Sequence, residues 1–123
     1  MCYIIFEIIK TIGDFMSIDN AIVMIKYKND KDNNISFRVQ HVQAIENLRH
    51  SMWYVYNTFK DVPEWSSFSL ADVYATKLEE KYGNDLEYGM IICDCTDKTW
   101  KDIAHEAGLE TYKFSKEQPY IND

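Results

Sequence analysis

Apolar and polar positions follow a two-residue rhythm early in this chain and a three-to-four-residue rhythm later. Residues 21–28 (AIVMIKYK) are β-branched and aromatic, which predicts a strand. The polar run 29–34 predicts a turn, and residues 35–40 then alternate apolar and polar as a half-buried strand does. Together they predict a β-hairpin with a longer loop. From Val42 to Phe59 the apolar side chains fall at 42, 45, 48, 52, 55, 56 and 59. That spacing predicts one long helix, stopped by Pro63.

Trp65 and Phe68 fall in the loop that follows. Ser69, with Asp72 three residues on, predicts the N-cap of a second helix. Leu70, Val73, Tyr74, Lys77, Leu78 and Tyr82 follow at helical spacing, Lys77 lending its apolar stem, and Gly83 sits where a left-handed C-cap belongs. Residues 86–93 predict a third, central strand. Asp94 or Thr96 then caps a third helix, with Trp100, Ile103, Ala104 and Ala107 inward and Gly108 at its end. Residues 110–114 read as a last strand, parallel to the third through that helical crossover, and 115–123 as a loose tail. The expected fold is α+β: a small mixed sheet, a β-hairpin plus a later strand–helix–strand, packed against two or three helices in a single domain over 1–123. Residues 2–9 are apolar around Glu7, too short for a membrane span, and predict an edge strand or short helix. Met16-Ser17 offers an alternative start, which would make 1–15 an extension.

Charge changes this picture more than overall composition does. The formal net charge is -7, and it is uneven. Residues 1–60 hold seven bases and six acids, whereas 61–123 hold six bases and fourteen acids. An acidic surface repels phosphate backbones and the inner membrane face and attracts basic proteins. Three cysteines, with Cys93 and Cys95 two apart on one strand, argue against a disulfide scaffold and fit a reducing cytosol.

Candidate chemistry is sparse. Asp94, read as the end of a hydrophobic strand, stands where α/β proteins place functional groups, so a small enzyme or ligand-binding site there is the alternative reading. It resembles the phosphatase-like pattern of four apolar residues and Asp-x-Asp, with Thr96 in place of the second Asp. Cys93, Cys95 and His105 are too few and too scattered for a structural zinc site, and no metal or other cofactor is expected. A Cys–His nucleophilic pair would need a lowered thiol pKa, which the neighbouring Asp94 and Asp97 oppose. Asp30, Asp32 and Asn34 begin a calcium-loop spacing, but Ile35 and His41 stand where its Gly and Glu are required. Lys26, Lys28, Lys31 and Arg38, with Tyr27 and Phe37, make a weak RNA-binding hairpin; the overall acidity counts against nucleic acid.

The reading favoured by these patterns is stoichiometric protein binding rather than turnover. Asp85, Glu87, Asp94, Asp97, Asp102 and Glu106 are expected to present carboxylates to a basic protein, with Trp65 and Phe68 as apolar anchors. Asp102 and Glu106 stand four apart on one helix and repel each other until a partner neutralises them. Small size, acidity and aromatic richness resemble, in composition alone, many inhibitor, immunity and anti-defence proteins of phages and mobile elements. Such a protein would occlude a nucleic-acid-binding groove. The apolar N-terminal segment also leaves a homo-oligomer open through strand pairing.

Overall fold

The computed structural model describes residues 3–6, 20–86 and 88–117, with 3–6, 84 and 111–117 described by backbone alone. The strands are β1 (Tyr3–Phe6), β2 (Ala21–Lys28), β3 (Ile35–Val42) and β4 (Met90–Thr99). The helices are α1 (Glu46–His50), α2 (Met52–Phe59), α3 (Phe68–Tyr82) and α4 (Trp100–Glu117). The sheet runs β1-β4-β2-β3, mixed, with β4 parallel to β2 and antiparallel to β1. The fold is α+β, as the pattern of elements predicts.

β2 and β3 form the expected hairpin, paired from Ala21↔Val42 to Lys28↔Ile35. Asn33 takes the left-handed conformation in its turn (φ 62°), which Asn tolerates better than most residues. β2 is covered on both sides: Ala21 to Ile25 and Tyr27 are fully buried. Its odd positions, with Ile91, Cys93 and Cys95 of β4, face Ile45, Leu48, Met52, Val55, Phe59 and Ile103 from α1, α2 and α4. Its even positions Ile22 and Met24, with Phe37 and Val39, face Ala71 and Ala75 of α3. Small alanines there let the helix lie close to the sheet.

The predicted long helix is two helices. Ser51 is extended (φ -146°, ψ 114°), and its side chain accepts a hydrogen bond from Tyr54 N, capping α2. Ile45, Leu48, Met52, Val55 and Phe59 are buried nonetheless, because the break falls between turns of the same apolar stripe, and Tyr56 is half-buried against them. The cap of α3 is Ser67, which accepts from Leu70 N, and not Ser69. Gly83 ends α3 at φ 49°, in the left-handed region as expected.

The end of the chain departs furthest from expectation. The third strand begins later and runs further than 86–93, continuing past Asp94 to Thr99 with an irregular step after Cys95. Neither Asp94 nor Thr96 caps α4. A reciprocal box does: Asp102 N donates to Thr99 Oγ1 (3.1 Å) and Thr99 N donates to the Asp102 carboxylate (3.0 Å). There is no strand at 110–114, and 115–117 are no loose tail; α4 runs through Gly108 to Glu117. One glycine costs a helix only about 1 kcal/mol, and Ile103 and Ala107 anchor the turns before it. The parallel partner of β4 is therefore β2. Residues 118–123, like Glu87, lie outside the described residues.

Candidate functional site

Helix α4 gathers three of the structure's tertiary ties. At its start, the Asp30 side chain in the hairpin turn accepts from Lys101 N at 2.9 Å. Lys98 Nζ, at the end of β4, donates to Glu106 at 2.7 Å. Glu110 reaches the start of α2, accepting from Ser51 Oγ (2.9 Å), Met52 N (2.5 Å) and Trp53 N (3.3 Å). A carboxylate at a helix N-terminus satisfies amides that have no partner within the helix and meets the positive end of its dipole.

One side of α4 carries Asp102, Glu106 and Leu109, spaced by four and three residues, and exposed Lys101 and His105 lie beside it. Asp102 and Leu109 are exposed and Glu106 is half-buried. Leu109 leaves 55% of its surface in water, and Trp53, whose backbone joins the Glu110 tie, leaves 46%. Two large apolar side chains thus stand uncovered, Trp53 in the α2–α4 joint and Leu109 next in sequence to Glu110, which makes it. Sequence periodicity misses both. Trp53 lies one residue off the stripe 52, 55, 59, and Leu109 follows the glycine read as the helix end.

Asp102 sits below the usual carboxylate range, held there by the Thr99 backbone and hydroxyl bonds. The Lys98 ammonium is raised, chiefly by its bond to Glu106. The Asp102 carboxylate is ionised at neutral pH, and both Asp102 and Glu106 have oxygen lone pairs left for an incoming donor.

The other expected site residues are not drawn into this face. Asp97 is exposed just before α4. Asp94 lies within β4, accepting from Thr96 N (3.0 Å) and Thr96 Oγ1 (2.7 Å), with Lys26 Nζ 3.9 Å away. The Thr96 bonds lower its pKa most, and Lys26 adds to that. The strand-end position that an enzyme reading of Asp94 requires is absent. Asp85 is exposed in a 3-10 turn (Gly83–Asp85) before β4, whose length of about 30 Å places it at the opposite end of the sheet from Asp102. Trp65 bridges Phe37 on the outer edge of β3, and its ring lies tilted against Tyr74 with centroids 5.5 Å apart. Phe68 opens α3, edge-on to Phe37 and 47% exposed. Both aromatics cover the α3 side of the sheet, away from α4. Leu70 (50% exposed), Val73 (56% exposed) and Lys77, expected on the packed face of α3, instead point away from it, because Ala71 and Ala75 are the residues set against the sheet.

The basic hairpin residues are divided between the two sheet faces. Lys26 and Lys28 share one face and Arg38 the other, opposite Ile25. Arg38 is 13% exposed at its side chain and fully engaged. It donates to Tyr27 Oη (2.7 Å) and to the carbonyls of Phe59 (3.0 Å), Lys60 (3.3 Å) and Val62 (3.2 Å), lies 4.2 Å over the Trp100 ring, and faces Glu64 at 3.7 Å. Tyr27 donates to Glu64 in turn, and burial followed by that bond raises its pKa. This network closes the end of α2 and leaves no free guanidinium for a ligand.

Cys93 is a free, buried thiol, 4.0 Å from the sulfur of Cys95. Burial, then the charge of Asp94, push the Cys93 thiol up to about 12, which leaves it protonated and unreactive. Cys95 is disulfide-bonded, so cysteine number gives no support for a reducing compartment. Among the described residues no cluster of His, Cys, Asp and Glu is placed to hold a metal, and no helix is long and apolar enough to cross a membrane. No family model matches the chain, and no curated protein or solved structure matches it either.

Proposed function

We propose that this protein acts by stoichiometric binding to a basic protein surface through the outer face of α4, with Asp102 and Glu106 as the charged contacts and Leu109 and Trp53 as apolar anchors. The observation that supports it is the uncovered Leu109 on the α4 side that carries Asp102 and Glu106, with uncovered Trp53 on α2, whose backbone is bonded to Glu110 of α4. Interfaces draw most of their affinity from a few buried apolar or aromatic anchors, while flanking charge sets partner choice and association rate. The mechanism is occlusion of the partner's cationic surface, such as a nucleic-acid groove, rather than turnover. Asp85, Trp65 and Phe68 have no part in this reading, since they lie on other faces.

The test is retention of a basic protein at one-to-one stoichiometry by the immobilised wild-type chain. The Leu109→Asp and Glu106→Lys variants should lose it, with association slowing as salt rises. Equal retention by both variants would end this reading. Glu106 suits charge reversal better than Asp102, whose carboxylate also caps α4.

A further inference from the structure

One covalent bond of the chain is still without an assigned partner. The sequence holds three cysteines, Cys2, Cys93 and Cys95. Cys95 is fully buried and disulfide-bonded, and Cys93 is a free thiol. Their sulfurs are 4.0 Å apart, well beyond the disulfide bond length of about 2.0 Å. Within one chain that leaves Cys2. The strand register agrees. β1 runs antiparallel to β4, with Phe6 opposite Ile91, Ile5 opposite Ile92, Ile4 opposite Cys93 and Tyr3 opposite Asp94. Each step back along β1 is one step forward along β4, so the next pair in that series is 2 with 95. Directly opposed residues of an antiparallel pair have Cα atoms about 4.5–5.5 Å apart, inside the range a disulfide spans.

We infer that Cys2 and Cys95 form a reducible staple that fastens the N-terminal strand to the sheet. β1 is an edge strand of four residues, paired with β4 alone. So short a strand has few backbone bonds of its own to hold it. A link between 2 and 95 also closes a loop of most of the chain, which restricts the unfolded state more than a short loop does. The reductant is a dithiol. One of its thiolates attacks a sulfur of the staple, forms a mixed disulfide and expels the other cysteine as a thiolate, which takes up a proton. The second thiol of the reductant then displaces the remaining protein sulfur. Two cysteine thiols and one cyclic disulfide result, with two electrons passed to the protein. Cys93 does not compete as an internal attacker. Its thiol is pushed up to about 12 and stays protonated, so the chain has two states, stapled and open. The inference does not depend on α4 as a binding face.

The experiment counts thiols on the full chain, unfolded in guanidinium with maleimide and weighed by mass spectrometry. Without reductant the wild type should take one label, on Cys93, and after dithiothreitol three. Cys2→Ala should take two without reductant, and Cys93→Ala none. Dithiothreitol should lower the melting midpoint of the wild type and of Cys93→Ala by about 10 °C, and leave that of Cys2→Ala unmoved. Hydrogen exchange at residues 91–94, which pair with β1, should quicken on reduction of the wild type. Three labels without reductant, a disulfide-linked dimer, a bond through Cys93, or a midpoint and exchange indifferent to dithiothreitol would each overturn the inference. Retention of a basic protein by α4 is read separately, so either claim fails without the other.

Discussion

At the scale of single residues, two half-buried polar side chains set expectations that solution measurements can check. His41 stacks on Tyr82 with ring centroids 3.9 Å apart, and Asn20 Nδ2 lies 3.3 Å from its Nε2. An amide nitrogen only donates, so Nε2 accepts and the ring proton sits on Nδ1. Burial lowers the His41 pKa below its ordinary 6.5. The unfolded chain then binds the proton more readily than the folded one, so stability is whole above 6.5 and declines as pH falls through the folded pKa. Urea melts between neutral pH and pH near 5 should show this decline, and His41→Phe, which keeps the stack without the titration, should flatten it. Arg38 holds three carbonyls at the end of α2 and the Tyr27 hydroxyl. Arg38→Met fills similar space but strands those acceptors, and should cost about 2–3 kcal/mol by urea unfolding. A loss under about 0.5 kcal/mol, the range of ordinary surface changes, would show the network to be incidental. Sequence placed Arg38 on the half-buried strand correctly. It gave no sign that the carbonyls of Phe59, Lys60 and Val62 would converge on the guanidinium, since that convergence depends on where α2 ends in space.

At the scale of elements, the sequence is most legible where one local rule acts alone. The hairpin follows from alternation around a polar turn, and Gly83 from the need for a left-handed residue at a helix end. It is least legible where two rules compete. Residues 110–114 carry strand-prone Thr, Tyr and Phe after a glycine, yet the helix continues, because Glu110 is tied to α2 and Ile103 and Ala107 fix the preceding turns. Ser51 breaks the long apolar stripe because it caps α2 together with Glu110, a contact 59 residues away in sequence that no local pattern encodes. Glu110→Ala should therefore destabilise the fold by about 1–2 kcal/mol and speed hydrogen exchange at the amides of Met52, Trp53 and Tyr54. Unchanged exchange there would refute the tie. Thr99→Ala, removing the Oγ1 acceptor at the head of α4, should cost about 1 kcal/mol, whereas Thr96→Ala should leave the helix start untouched.

At the scale of the whole molecule, the acidic second half of the sequence does not become one acidic flank. Asp85, Asp94 and Asp102 occupy three separate regions, and Asp94 and Glu106 each meet a lysine. Net charge is legible from sequence, but its distribution is set by strand order and helix facing, which placed β4 inside the sheet and α3 and α4 on opposite sides. What the fold leaves is smaller and more specific: two carboxylates and a leucine on one side of α4, a helix tied at Lys101, Glu106 and Glu110, and a tryptophan on α2 next to the Glu110 tie. The account stands on that face being the contact surface. The most direct measurement is the hydrogen-exchange footprint of the protein in a one-to-one complex with the basic protein it retains. Residues 101–110 and the first turns of α2 should be protected, with the α3 amides unchanged. Protection confined to α3 or the β3 edge, or no change along α4, would contradict the account.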